Sequence, residues 1–359
     1  MDVPDLHFVA VTSVRPPKIT EPRRVRRVLV SDPTINSETF HGCYQVVLYY
    51  ENLNEELGDA WVLAGWTVDS LTRALSEYPL LAGRLQRKEE GDGGYAEEME
   101  IVSNDSGIRM VEARISIALS DFVESSERHN LEHELVFWKD IDEQSPEFSP
   151  LFYVQVTSFK CGGYSIGISC SLLLADFLVV DNFLKKWADI HKNQVARSAE
   201  TETPIFYHPR LRHPESLPAA ITRRTPYRNG GQNLLFKIAA SEDSEFEREL
   251  ARLCVREAEK KLRREIGSEF CLFVKEAHEV VMVETCSEGE KSGQARGLKN
   301  QMSSTTWDEF GDYHVEFEEG NRPVHVFRRI GSASDRIFAA VTYPKKGVYV
   351  AVVVISPCC

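Results

Sequence analysis

The chain predicts a mixed α/β protein built in two parts, and three observations carry that prediction. Runs rich in Val, Ile, Tyr and Phe sit among segments with helical periodicity. A proline-rich stretch over residues 196–233 divides the chain. The length, 359 residues with 42% hydrophobic content, is enough for two cored domains rather than a disordered tail.

The elements follow in order. Residues 45–50 read as a strand. Residues 67–77 read as a helix: Leu71, Ala74 and Leu75 recur at helical spacing and Pro79 lies just past the end. Residues 89–94 form an acidic, glycine-rich turn. Residues 151–159 and 164–171 are β-rich runs around Lys160-Cys-Gly-Gly163, which predicts an antiparallel hairpin. Val180, Phe183, Leu184, Trp187 and Ala188 give the next segment one apolar helical face. After the crossover, Ser244 and Glu247 fit a capping box. Phe246, Leu250, Leu253, Cys254, Ala258, Leu262 and Ile266 form a helical stripe, and Gly267 can close it. Glu257 and Lys261 are placed to pair across one turn of that helix. Residues 287–300 read as a polar loop. Residues 313–317, 323–329, 336–343 and 348–356 read as strands. The expected division is an N-terminal domain over 1–195, the crossover over 196–233 and a second domain over 234–359.

Composition narrows the function classes. A formal charge of −13 argues against a nucleic-acid surface, which needs a basic stripe to neutralise phosphates. It also disfavours electrostatic attachment to anionic membranes. The basic run Arg23-Arg24-Val-Arg26-Arg27 reads as a solvated arm. The longest apolar run, Val348–Ile355, is far short of the ~20 residues that cross a bilayer. No signal peptide is visible at the start, so a cytoplasmic address is expected, with a peripheral position at the endoplasmic reticulum as the variant. The eight cysteines read as reduced thiols. His129-Asn-Leu-Glu132-His133 fits a short zinc-site pattern, but its neighbours are charged, and a solvated surface helix is the expectation. No metal is expected. His208 and His213 read as surface residues, and His314 and His325 as strand histidines whose hydrogen bonds are met.

One segment points to chemistry. Ile168-Ser-Cys-Ser-Leu172-Leu-Leu-Ala175-Asp176-Phe177 follows an extended run and leads into a helix. It resembles the H-x-x-x-D active-site segment of the BAHD acyl-CoA-dependent acyltransferases, with Asp176 in place and Leu172 where the family has its histidine. Leu71-Thr-Arg-Ala-Leu-Ser-Glu-Tyr78-Pro79-Leu-Leu-Ala-Gly83-Arg84-Leu85 resembles a helix and strand of BAHD N-terminal domains. Glu316, Phe317, Gly320 and Pro323 stand where the family carries D-F-G-W-G-x-P, with one extra residue. The likeness covers residues ~1–195 well and ~300–355 loosely. Within the family, Asn104–Arg109 and Phe159–Gly163 are most similar to the ECERIFERUM/Glossy branch of wax biosynthesis.

The resemblance implies a two-domain α/β sandwich like that of chloramphenicol acetyltransferase, here with a shortened second domain. It implies transfer of an acyl group, other than an amino-acyl group, from acyl-CoA to an alcohol or amine. Acyl-CoA would be the donor substrate, with no tightly bound cofactor. In the family the histidine takes the acceptor's proton, a contribution of ~10²–10⁴ in rate. Leu172 cannot do so. Cys170 shares its face but reads as a small packed hydrophobe. Asp176 is implied to be structural, holding its loop through an arginine. Three readings stand: a transferase with an altered base, a catalytically silent accessory of very-long-chain fatty acid elongation and cuticular wax synthesis, or a truncated product with no stable function. The accessory would bind an acyl chain or an elongase. A monomer is expected.

Overall fold

The computed structural model describes residues 6–32, 36–52, 60–88, 97–174, 177–198, 232–239, 246–263, 269–276, 280–287, 301–309, 314–331, 338–345 and 348–355. The first part contains β1 (Leu6–Val14), β2 (Val25–Val30), α1 (Asn36–His41), β3 (Cys43–Tyr50), α2 (Ala60–Glu77), β4 (Arg84–Arg87), β5 (Glu97–Val102) and β6 (Ile108–Ile115). Short helices α3 (Leu119–Glu124) and α4 (Arg128–Leu131) precede the hairpin β7 (Phe152–Phe159) and β8 (Tyr164–Ser171), and α5 (Phe177–Ser198) follows it. The remainder holds β9 (Gln232–Ala239), α6 (Phe246–Leu262), β10 (Glu269–Glu276), β11 (Val280–Ser287), β12 (Met302–Thr305), β13 (His325–Gly331), β14 (Phe338–Lys345) and β15 (Val348–Ile355).

These strands make two sheets. A six-stranded sheet runs β1-β6-β7-β8-β3-β13, antiparallel except for the parallel β6–β7 pair. A nine-stranded sheet runs β12-β9-β15-β14-β10-β11-β2-β5-β4. Each takes strands from both sides of residues 196–233: β2, β4 and β5 join the larger sheet, and β13 closes an edge of the smaller.

Alternation along the strands separates the layers. On β15, Val350, Val352 and Val354 join one core, while Tyr349, Ala351, Val353 and Ile355 face another. The first core unites the inner face of the six-stranded sheet, α2, α5 and one face of the larger sheet. The second is the other face of the larger sheet, covered by α6 through Leu250, Leu253, Cys254 and Ala258. The outer face of the smaller sheet carries two satellite clusters, around Tyr49 and Phe122 and around Trp138 and Tyr153.

Several expectations need correction. The run at 313–317 is not a strand: residues 314–317 are irregular, because Val315 and Phe317 are held by side-chain packing rather than by a ladder. The basic run at 23–27 is exposed at Arg23, Arg24 and Arg27, as expected, but it is not an arm. It enters β2, and Arg26 is buried. Residues 125–134 are less solvated than their charge suggested, since Glu132 is fully buried. Lys261 does not pair with Glu257; Lys260 does, at 2.6 Å, and Lys261 reaches Ser304 Oγ and lies over the Phe236 ring. Helix α2 begins seven residues before its expected start at Thr67. Strands β10 and β11, where neither was expected, form an antiparallel pair. Ser244, Ile266, Gly267, His208, His213 and nearly all of the 196–233 crossover lie outside the described residues.

Candidate functional site

Leu172 lies one residue beyond β8, where the chain leaves the sheet as a turn. Its backbone N–H donates to the Gly42 carbonyl at 3.0 Å, just ahead of β3. Ser171 N–H donates to Leu151 O at 2.9 Å, Leu174 N–H to Ser171 O at 3.0 Å, and Leu173 N–H to Ser171 Oγ at 3.3 Å. Arg26, reaching from β2, donates through Nη1 to the Leu174 carbonyl. The segment is thus pinned by both sheets. Asp176 lies outside the described residues. Just beyond, Asp181 of α5 meets Arg328 of β13 at 3.2 Å, and Arg328 also donates to Trp307 O at 3.3 Å.

The side chains here are poor proton acceptors. Leu172 is 7% exposed and packs into the first core. Cys170 shares that core, and burial pushes its thiol far above the ordinary range. Cys43, beside Ser171 on β3, is pushed up to about 12, chiefly by burial. Neither can supply a thiolate near neutral pH.

Glu316, Phe317, Gly320 and Pro323 form a second constellation, which the structure does not bring to Leu172. Phe317 packs edge-on against Tyr50, Trp187 and His191, at centroid distances of 5.9, 4.7 and 5.5 Å. Tyr50 stacks on Tyr164, the first residue of β8, and its hydroxyl donates to Val315 O at 2.9 Å. Leu172 follows the other end of β8, so the two constellations lie toward opposite ends of that strand. Asn321 Nδ2 donates to Glu51 O at 2.9 Å, and the Val324 N–H donates to Tyr49 O at 2.8 Å. Gly320 takes φ +75°, the left-handed conformation glycine adopts without strain. Arg322, 2.8 Å from Glu316, holds that carboxyl below its usual range, with Lys192 3.8 Å away. Pro323 is buried. The element clamps β3, β8 and α5 and has a structural role.

One contributor escaped sequence reading. His191 is 2% exposed, its Nδ1 lies 3.0 Å from Ser70 Oγ, and burial lowers its pKa to about 4. Trp187 Nε1 donates to the same hydroxyl at 3.0 Å. His191 continues the stripe of Leu184 and Trp187 at helical spacing, and that signal could have placed it in the core. His325, on β13, lies 3.2 Å from buried Glu132. Arg128 is 3.4 Å from the same oxygen and His129 3.5 Å from the other. That guanidinium competes with any cation, and among the described residues no group of three His, Cys, Asp or Glu side chains is placed to hold a metal ion. No helix among them is long and apolar enough to cross a membrane.

Comparison with known proteins fits this geometry. The profile of the Transferase family matches residues 39–229, more than half of the chain. Protein ECERIFERUM 2 of Arabidopsis thaliana is 32% identical over 121 residues, 33% of this chain and 28% of that protein. A hydroxycinnamoyl-CoA:piscidic acid hydroxycinnamoyltransferase of Actaea racemosa is 37% identical over 128 residues, 35% of this chain and 26% of the enzyme. The aligned part is therefore under a third of either relative's length. The crystal structure of vinorine synthase superposes with a TM-score of 0.50 at 14% identity, covering 98% of this chain and 95% of that one. This places the chain in the same two-domain chloramphenicol-acetyltransferase-like fold. With its family profile, its relatives and its fold in agreement, the chain belongs to the Transferase family, that of the BAHD acyltransferases.

Proposed function

We propose that this chain binds acyl-CoA, or the acyl chain it carries, in a BAHD-type site and serves as an accessory to another enzyme's acyl chemistry. The observation behind this reading is Leu172: an aliphatic side chain, packed in the core, stands where the family's proton acceptor belongs. Without a positioned base, transfer loses ~10²–10⁴ in rate. Cys170, two residues earlier and in the same core, is too deeply buried to ionise near neutral pH. Likeness to ECERIFERUM 2 supports the accessory role, and the wax-biosynthesis branch suggests a very-long-chain fatty acid elongase as partner.

The second reading is a working transferase, moving an acyl group other than an amino-acyl group from acyl-CoA to an alcohol or amine with a base from elsewhere. The match to a hydroxycinnamoyltransferase at 37% identity favours it. Calorimetric titration with aromatic and long-chain acyl-CoAs, with free thiol measured in the same samples against a mixed alcohol and amine pool, separates the two. Saturable binding without thiol release is the expected result. Release above a boiled control would establish the transferase reading. The lack of any acyl-CoA binding would defeat both.

A further inference from the structure

Three arginines lie close in the chain or in space to Gly107, at the end of the smaller sheet where β1 finishes and β6 begins. Arg84 is only 3% exposed, and its guanidinium meets neutral carbonyls alone: Gly83 O at 2.7 Å, Gly107 O at 2.8 Å and Ser106 O at 3.4 Å. These occupy three of its five N–H donors. Arg15 crosses the same glycine so closely that a Cβ added at Gly107 would come within 2.7 Å of its Cγ. Arg109 stands two residues on, paired with Ser13 in the ladder, and its Nη1 donates to Ser13 Oγ at 2.7 Å. None of the three has a carboxylate partner among the described residues.

That arrangement carries a cost. Burial first, then the charges of Arg109 and Arg15, lowers the Arg84 pKa to about 10. The nearby carboxylates are engaged elsewhere. Asp105 accepts from Thr20 N–H and Oγ1 at 2.8 and 2.7 Å, and Asp140 accepts from Trp138 Nε1 at 2.8 Å. Like charges gathered around a desolvated guanidinium are offset most directly by an anion from outside.

We propose that Arg15, Arg84 and Arg109 form a binding site for a terminal phosphoryl group, a phosphate monoester or free phosphate. The three cations lie at graded depth: Arg15 exposed, Arg109 half-buried and Arg84 at the floor. A tetrahedral dianion offers oxygens to all three, whereas a carboxylate fills one fork. A flat anionic bilayer would meet Arg15 and stop short of Arg84. Tyr153, opposite Arg109 on β7, is buried against Phe137 and Trp138, with its phenol in the field of Arg84 and Arg109.

Calorimetric titration of the full chain with inorganic phosphate, phenyl phosphate and acetate, at ionic strength fixed with chloride, tests this. The expected result is saturable 1:1 binding of both phosphates, no saturation with acetate, and at least tenfold weaker phosphate binding by R15Q/R109Q. The single R15Q variant, altered only at an exposed side chain, should weaken binding about threefold and guards against loss of fold. Saturable binding of inorganic phosphate but not phenyl phosphate would also uphold the site, for free phosphate. Absence of saturable phosphate binding, equal affinity in the folded double variant, or acetate binding as tight as phosphate would overturn the proposal.

Discussion

Acidification should destabilise this protein through His191, by an amount the structure sets. The imidazole is 2% exposed and rests against Ser70 Oγ, with the Phe317 ring edge-on. Burial depresses its folded pKa to about 4 from an ordinary 6.5. A depressed histidine is neutral in the native state, so the unfolded chain binds the proton first. Its contribution is full above pH 6.5 and is lost as pH falls from 6.5 to about 4. At ~1.36 kcal/mol per pKa unit, the total is about 3 kcal/mol, most of which is lost by pH 4.5. Urea unfolding at pH 7.5 and 4.5, for wild type and His191→Asn, isolates this term, because asparagine keeps an amide for Ser70 and does not titrate. Wild type should lose roughly 2–3 kcal/mol more than the variant over that interval. Equal losses would refute the reasoning.

Two further outcomes follow from packing. Phe317→Ala removes a fully buried ring that touches Tyr50, Trp187 and His191, and should cost about 3–5 kcal/mol in chemical unfolding. Gly167→Ala, at the middle of β8, would place a methyl 2.0 Å from the Leu135 carbonyl, and backbone cannot yield as a flexible side chain does. That variant should melt well below wild type or fail to accumulate in soluble form, measured by thermal denaturation of the purified chain.

Much of the framework was legible because it rests on local signals. The β7–β8 hairpin followed from two β-rich runs around Cys161-Gly-Gly163, and α5 and α6 from apolar stripes that lie in the core, although His191, Ala251 and Val255 are buried beside them without having been selected. Long-range pairing was not legible. Nothing local announces that β13 will close the smaller sheet or that β2 will lie parallel to β11. The basic run at 23–27 misled for the same reason. Its charge suggested water, but the fold draws Arg26 inward to the Leu174 carbonyl and lets Arg27 meet Glu98 at 2.8 Å. At the site, Leu172 could be read from one letter as the position that the family's histidine would take by resemblance. The ionisation of Cys170 needed the surrounding core, and the spatial separation of Leu172 from Phe317 needed the register of β8 with β3.

The most direct test places a base at Leu172, on which the proposed function rests. Leu172→His and Leu172→Gln should be purified beside wild type, checked for fold and for acyl-CoA binding, and assayed for free-thiol release with aromatic and long-chain acyl-CoAs and a mixed acceptor pool. Glutamine matches the polarity of histidine without its basicity, so it isolates proton transfer from packing. The account predicts that wild type and Leu172→Gln stay at the boiled-control level while Leu172→His rises by at least tenfold, toward the ~10²–10⁴ a positioned base contributes. Thiol release by wild type at the rate of Leu172→His would contradict it, since some other group would then be taking the proton.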